Sequence, residues 1–139
     1  MKSLSEYKFS VLMPVYHKET TEYFNTALES VVNQTLMPNE IVIVKDGSLT
    51  EELNSVIAKY ISKYSQLFNI VAWEENVGQG KARNAGLMAC KHNIVALMDG
   101  DDIAEKLQYG LYYLKNRNVL WEICILVKAV FLALGGRHE

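Results

Sequence analysis

Four short apolar runs are spaced along the first hundred residues of the chain. They cover Phe9–Val15, Glu40–Val44, Phe68–Trp73 and Ile94–Met98. Continuous apolar runs of this length, as opposed to runs that alternate with polar residues, are typical of strands covered on both faces. The pattern therefore predicts four buried β-strands.

The segments between these runs carry apolar residues every three to four positions, which is typical of amphipathic helices. They predict helices over Thr20–Leu36, Glu51–Tyr64 and Lys81–Cys90. Thr20 or Thr21 is the predicted cap of the first helix, and Pro38 follows the end of that helix. Because strands and helices alternate, we predict an α/β fold, a doubly wound and mostly parallel sheet with helices on both faces.

The composition of the chain argues against several classes of function and site. The chain has 139 residues, half of them hydrophobic, which is enough for one small domain with a real core. A net charge of -2 argues against a nucleic-acid partner. The two cysteines, Cys90 and Cys124, lack the spacing of a zinc site or a disulfide framework. The polar N-terminus does not resemble a signal peptide, and we expect a cytoplasmic protein.

The fourth apolar run ends in DGDD, which places Asp99, Asp101 and Asp102 within four positions. Closely spaced carboxylates repel one another unless a cation or hydrogen bonds compensate. Carboxylate oxygens suit hard ions, so the motif predicts a Mg²⁺ or Mn²⁺ site. The alternative is an acidic turn that caps the next helix.

Three further loops follow the other predicted strands. ENVGQGKARNAG lacks the spacing of a P-loop or of a dinucleotide fingerprint, yet it leads basic residues into a helix N-terminus, which favours anions. On its own it is equally typical of an ordinary connection. KDGS is by itself a common turn, and PVYHKE is by itself a strand end with a solvated His17. In a parallel sheet, all these loops lie at the carboxyl edge, where ligands bind.

Taken together, VLMPVYHKE, VKDGS, ENVGQGKARNAG and ALMDGDD, in this order, resemble the donor-binding half of family 2 glycosyltransferases with the GT-A fold. The resemblance covers about residues 8 to 115. It implies a Rossmann-like nucleotide-diphospho-sugar transferase fold, a helix from DGDD to about Asn116, and a nucleotide-diphosphate sugar, usually UDP-linked, as partner.

The resemblance also implies roles for individual residues. Asp46 is expected to hydrogen-bond the base, and Asp99 and Asp101 to form the DxD pair around Gly100. Asp102 is expected to join them as a ligand of Mn²⁺ or Mg²⁺. The remaining expected donor-site residues are Pro14, Val15, Tyr16 and Glu19 around the nucleoside and Lys81, Arg83 and Asn84 near the donor.

The implied reaction is inverting transfer of the sugar to an acceptor hydroxyl of a glycan or lipid-linked acceptor. It needs a general base, which the family carries after the DxD segment, and no residue here matches one. One alternative is therefore a non-catalytic nucleotide-sugar-binding fragment without the acceptor half. A weaker alternative is a haloacid dehalogenase-like phosphotransferase, because a strand followed by Asp-x-Asp is shared with that family.

The C-terminal segment departs from the resemblance. We assign residues 1–118 to the nucleotide-sugar-binding half and residues 119–139 to a divergent apolar tail without a domain of its own. The apolar stretch Val119–Leu134 is expected to cover the sheet edge, to self-associate or to contact the inner face of a membrane.

Overall fold

The computed structural model describes residues 6–34, 36–98 and 112–114, the last three by their backbone. Strands and helices alternate from β1 to β4, and a short strand, β5, follows. The strands are β1 (Phe9–Val15), β2 (Glu40–Lys45), β3 (Phe68–Ala72), β4 (Ile94–Leu97) and β5 (Tyr112–Leu114). The helices are α1 (Thr21–Val32), α2 (Glu51–Lys63) and α3 (Gln79–Ala89).

The sheet has the order β3-β2-β1-β4-β5, and its first four strands are parallel. The chain moves outward from β1 through β2 to β3 and then crosses back to place β4 on the other side of β1. The direction of winding therefore reverses between β1 and β4, and a crevice at the carboxyl ends of the strands is the usual ligand site of such sheets. This confirms the predicted fold class.

Helices cover both faces of the sheet. On one face, α1 and α2 bury side chains such as Phe24 and Ile57 against residues such as Val11, Met13 and Ile43. On the other face, α3 packs against the alternate residues of β1 and β2. Because both faces are covered, the side chains of β1 are buried along its whole length, which explains its continuous apolar sequence.

Helix α3 lies unusually close to the sheet at Gly86. A Cβ at this position would overlap the side chain of Leu12 and approach Cγ2 of Val44 to 2.8 Å. The absence of a side chain at Gly86 therefore fixes how near α3 comes to β1 and β2.

The predicted strands agree with the observed ones to within one residue at each end. The helix ends differ more. Helix α1 ends at Val32 and not at Leu36, and α3 begins at Gln79, two residues before the prediction. Thr20 occupies the N-cap of α1, as predicted, but its side chain makes no capping hydrogen bond; its carbonyl accepts from Phe24 N–H at 2.9 Å.

One expectation is wrong. The resemblance implied a helix as far as Asn116, but residues 112–114 form β5, which pairs antiparallel with β4. The sequence Tyr-Tyr-Leu favours a strand, and pairing with β4 satisfies backbone groups that an edge strand leaves open. The rest of the expected helix and the tail 119–139 lie outside the described residues. Among the described helices, none has the length and apolarity needed to cross a membrane.

Candidate functional site

The loops that follow β1, β2 and β3 come together at the carboxyl edge of the sheet. Strand pairing aligns Val15 with Lys45, and Lys45 with Ala72, so these three strands end side by side. Met98 N–H donates to the Leu12 carbonyl at 2.9 Å and extends the β1–β4 ladder by one residue. The motifs singled out in the sequence thus begin at neighbouring positions.

Asp46 lies at the centre of this edge. The residue is only 4% exposed, and its backbone N–H donates to the Val15 carbonyl at 2.8 Å. One carboxylate oxygen, Oδ1, accepts a hydrogen bond from Val77 N–H at 2.7 Å. Within the described residues, no second donor to the carboxylate of Asp46 is observed. A buried carboxylate with one protein donor retains acceptor capacity for a ligand.

The loop between β3 and α3 rests on the turn that contains Asp46. Gly47 has a φ of 88°, and a Cβ there would lie 3.0 Å from the backbone nitrogen of Asn76. Asn76 donates from Nδ2 to the Asp46 carbonyl at 3.4 Å and accepts at Oδ1 from Gly78 N–H at 3.2 Å. Sequence reasoning identified Asp46 but missed Asn76 and Val77; the signal available was the Asn-x-Gly spacing before a helix.

The loop after β1 presents Tyr16 and Glu19, both half-buried, at the same edge. Glu19 N–H donates to the Tyr16 carbonyl at 3.1 Å, which closes a tight turn, and the exposed ring of His17 meets Tyr16 edge-on. Pro14 and Val15 are buried within the sheet, and the Val15 side chain belongs to the core beneath α1 and α2. A ligand would therefore meet the Val15 segment through its backbone.

Helix α3 starts directly behind the Asn76 loop. Ala82 N–H donates to the Gly78 carbonyl at 3.1 Å, and the first turn contains no acidic residue. Lys81 and Asn84 are exposed and lie three positions apart, on one side of the helix, while Arg83 is half-buried. The positive end of the helix dipole and Lys81 both favour an anion here.

The predicted metal ligands Asp99, Asp101 and Asp102, together with Gly100, lie outside the described residues. Within the described ranges, no group of three or more His, Cys, Asp or Glu residues is arranged to hold a metal ion. The metal site therefore stays a prediction of the sequence, attached to the residues that follow Met98.

A second buried carboxylate, Glu40, lies at the opposite, amino edge of the sheet and was not singled out in the sequence. It is 4% exposed. Its Oε2 accepts from Ser10 Oγ at 2.6 Å and from Lys91 N–H at 2.9 Å, and its Oε1 accepts from Asn69 Nδ2 at 3.1 Å. Burial alone would raise the pKa of Glu40, but these hydrogen bonds lower it below its ordinary value.

Residues 10–119 match the family model described as glycosyl transferase family 2. This stretch is most of the chain. The chain belongs to glycosyl transferase family 2. This match argues against the haloacid dehalogenase-like alternative.

Two proteins named as glycosyltransferases share substantial sequence with the chain. The amylovoran biosynthesis glycosyltransferase AmsE of Erwinia amylovora is 43% identical over 110 residues, which are 78% of this chain and 41% of that protein. An Escherichia coli enzyme named UDP-Gal:alpha-D-GlcNAc-diphosphoundecaprenol beta-1,3-galactosyltransferase is 42% identical over 96 residues, 69% of this chain and 34% of that one. The chain thus spans less than half the length of these two relatives.

Solved glycosyltransferase structures have the same fold. S. aureus TarS 1-349 in complex with UDP superposes with a TM-score of 0.58 and 30% identity, over 69% of this chain and 28% of that one. GalNAc-T7 with UDP, GalNAc and Mn²⁺ superposes with a TM-score of 0.59 and 25% identity, over 67% of this chain and 17% of that one. Proteins with the same fold as this family 2 chain have therefore been solved with UDP bound.

Proposed function

We propose that the chain binds the donor of a glycosyltransferase, a nucleotide-diphosphate sugar of the UDP class, for inverting transfer to an acceptor hydroxyl. The observation that carries the proposal is the buried carboxylate of Asp46 at the carboxyl edge of the sheet. Oδ1 of this carboxylate is held by Val77 N–H. Membership of the family and the UDP complex of TarS support the choice of nucleotide.

In this proposal, Asp46 recognises the base. The N3–H of uracil is a donor, and a carboxylate that is little exposed to water and is oriented by Val77 offers it an acceptor. The half-buried ring of Tyr16 and the backbone of Val15 lie on the adjacent strand end and bound the nucleoside on that side.

The diphosphate then extends toward the start of α3. Lys81 and the N-terminal amides of the helix are suited to carry its negative charge, and to stabilise the charge that grows as the nucleotide diphosphate leaves. A divalent ion on Asp99, Asp101 and Asp102 supplies further charge stabilisation when bound. The Mn²⁺ complex of GalNAc-T7 supports a divalent metal, either Mn²⁺ or Mg²⁺.

The acceptor and the site of action are part of the same proposal. The E. coli relative is named for a diphosphoundecaprenol-linked acceptor. A lipid-linked acceptor at the inner face of a membrane agrees with the cytoplasmic location expected from the sequence. Donor binding is the property to measure on this chain, because no residue is identified as the general base that transfer needs.

Calorimetric titration of UDP with and without Mn²⁺ tests the proposal. We expect binding that depends on Mn²⁺ in the native chain. The Asp101→Ala/Asp102→Ala variant should lose the dependence on metal. The Asp46→Ala variant should bind UDP and uridine more weakly by about one to two decades, because it loses a hydrogen bond to a charged group.

Exposed Glu29, in the C-terminal half of α1, provides a matched control, since α1 runs from the carboxyl edge to the amino edge and Glu29→Ala removes a carboxylate away from the carboxyl edge. This variant should bind UDP as the native chain does. Binding of UDP without dependence on metal, or no binding by a folded native chain, would contradict the proposal.

A further inference from the structure

We propose that Asn76 is a positioning residue that fixes the distance between the base-binding turn and the phosphate-binding end of α3. The inference rests on the proposed function, because it concerns the same donor site. It adds a residue that touches neither the base nor the diphosphate.

The side chain of Asn76 connects two elements that the sheet does not hold together directly. Nδ2 donates to the carbonyl of Asp46, which follows the last residue of β2, at 3.4 Å. Oδ1 accepts from Gly78 N–H, at the N-cap of α3, at 3.2 Å. One side chain thus joins the end of a strand to the start of a helix.

Two further contacts show that this connection is built into the backbone. Val77 N–H donates to Oδ1 of Asp46 at 2.7 Å, so the residue beside Asn76 holds the carboxylate itself. Gly47 adopts a φ of 88°, which strains any residue with a side chain, and a Cβ there would lie only 3.0 Å from the Asn76 nitrogen. The loop is therefore seated on the turn through two side-chain hydrogen bonds and one close backbone approach.

The consequence is a coupling between the two parts of the donor. A site whose two halves are held at a fixed separation binds a ligand that spans both halves more tightly, because less order has to be created on binding. Uridine reaches only the turn around Asp46, whereas UDP reaches both Asp46 and the start of α3. Loss of Asn76 should therefore weaken UDP more than uridine.

The experiment has two arms, and the first needs no ligand. Amide hydrogen exchange at Val77 and Gly78 is measured by NMR in the native chain, Asn76→Ala and Asn76→Asp. In Asn76→Ala both amides should exchange about three- to tenfold faster, since the loop loses its side-chain bonds. Asn76→Asp keeps an acceptor for Gly78 but loses the donor to the Asp46 carbonyl, so only Val77 should exchange faster.

The second arm compares UDP with uridine by calorimetry in the presence of Mn²⁺. Asn76→Ala should bind UDP about three- to tenfold more weakly, with uridine affinity changed by less than about twofold. Asn76→Asp serves only in the exchange arm, because its added negative charge would by itself repel the diphosphate. Asn33→Ala is the matched control, because Asn33 is an exposed asparagine at the C-terminal end of α1, which lies at the amino edge of the sheet, away from the proposed donor site. It should leave both affinities and both exchange rates unchanged.

The outcomes separate the two proposals. If the native chain does not bind UDP, the proposed function fails, but the hydrogen-exchange measurements still test whether Asn76 holds the loop on the turn. If the native chain binds UDP, the coupling is overturned when Asn76→Ala weakens the binding of UDP and of uridine equally, or when it weakens neither. Unchanged exchange at Val77 in Asn76→Ala would overturn the connection itself.

Discussion

The two buried carboxylates of the sheet lie at opposite edges and differ in how many hydrogen bonds they accept. Glu40, at the amino edge, and Asp46, at the carboxyl edge, are each 4% exposed. Three donors from β1, β3 and the turn after α3 surround Glu40, and both of its oxygens are engaged. Asp46 accepts one observed hydrogen bond from the described residues, from Val77.

This difference separates a structural role from a binding role. A buried carboxylate whose acceptor capacity is used within the protein joins elements of the fold and has little left for a ligand. One that keeps an acceptor at the edge where strands of such a sheet bind ligands is suited to recognition. Burial alone does not distinguish the two roles, whereas the number and origin of the donors does.

The largest expected effect comes from removing the structural carboxylate. Glu40→Ala removes the acceptor of Ser10 Oγ and of the Lys91 amide, and one of the two acceptors of Asn69, and we expect a loss of about 3 kcal/mol in the free energy of unfolding. Urea denaturation followed by circular dichroism measures it. Glu52→Ala, on the exposed side of α2, should change stability by less than about 0.5 kcal/mol. A Glu40→Ala variant as stable as the native chain would remove the distinction between the two edges.

The fold was predictable from the sequence because the strands are buried on both faces. In β1 and β2 the apolar residues are continuous, so the run and the strand coincide nearly residue for residue. Helix ends were less predictable, since α1 stops at Val32 although Leu36 continues the apolar pattern. The chain has to turn before Pro38 to enter β2, and this tertiary requirement outweighs the periodicity.

The candidate site was predictable only in part, for a similar reason. Asp46 was marked by its motif, and Asp99 to Asp102 by their density of charge. The Asn-x-Gly spacing indicates the local bond between Asn76 and Gly78, but Asn76 meets Asp46, and Glu40 meets Asn69, across about 30 positions, and no local pattern shows such pairings. Glu40 begins a run that is otherwise apolar, so the run predicts a buried strand and no role for this carboxylate.

The second prediction tests the two roles separately by replacing each carboxylate with the amide of the same shape. Glu40→Gln replaces one acceptor by a donor and should lower the free energy of unfolding by about 1.5 kcal/mol, without effect on UDP affinity. Asp46→Asn still offers an acceptor to Val77 N–H but presents NH₂ to the base, and should weaken uridine and UDP by about tenfold with little change in stability. Parallel denaturation and calorimetry measure both quantities. If Glu40→Gln and Asp46→Asn each lowered both the free energy of unfolding and the affinity for UDP to the same extent, the two carboxylates would not have separate roles.

The third prediction concerns acid. Because the pKa of Glu40 is lower in the folded chain than its ordinary value of 4.5, the ionised carboxylate stabilises the fold above this pH. That contribution is lost as the pH falls below 4.5 and through the folded pKa. The stability difference between the native chain and Glu40→Gln should therefore be constant near neutrality and narrow on acidification. Urea titrations at a series of pH values measure it, and a difference that widens below pH 4.5 would have the wrong sign.

The smallest effect is expected in α3, the element that joins the two edges. Its N-terminus begins after the Asn76 loop, and its last residue, Ala89, accepts at its carbonyl from Asn69, the partner of Glu40. Gly86→Ala inserts a methyl group against Leu12 and Val44, which costs about 2 kcal/mol in overpacking. The higher helix propensity of alanine offsets up to about 1 kcal/mol of this, so we expect a net loss of about 1 kcal/mol.

Gly80→Ala is the matched substitution on the same helix, because a Cβ at Gly80 meets nothing within 4 Å. It should be neutral or stabilise by about 0.5 kcal/mol. If α3 transmits its displacement along its length, Gly86→Ala should also increase amide exchange at Val77 and at Lys91, one at each edge of the sheet. Faster exchange at only one of these amides in a stably folded variant would mean that the two carboxylates are positioned independently of each other.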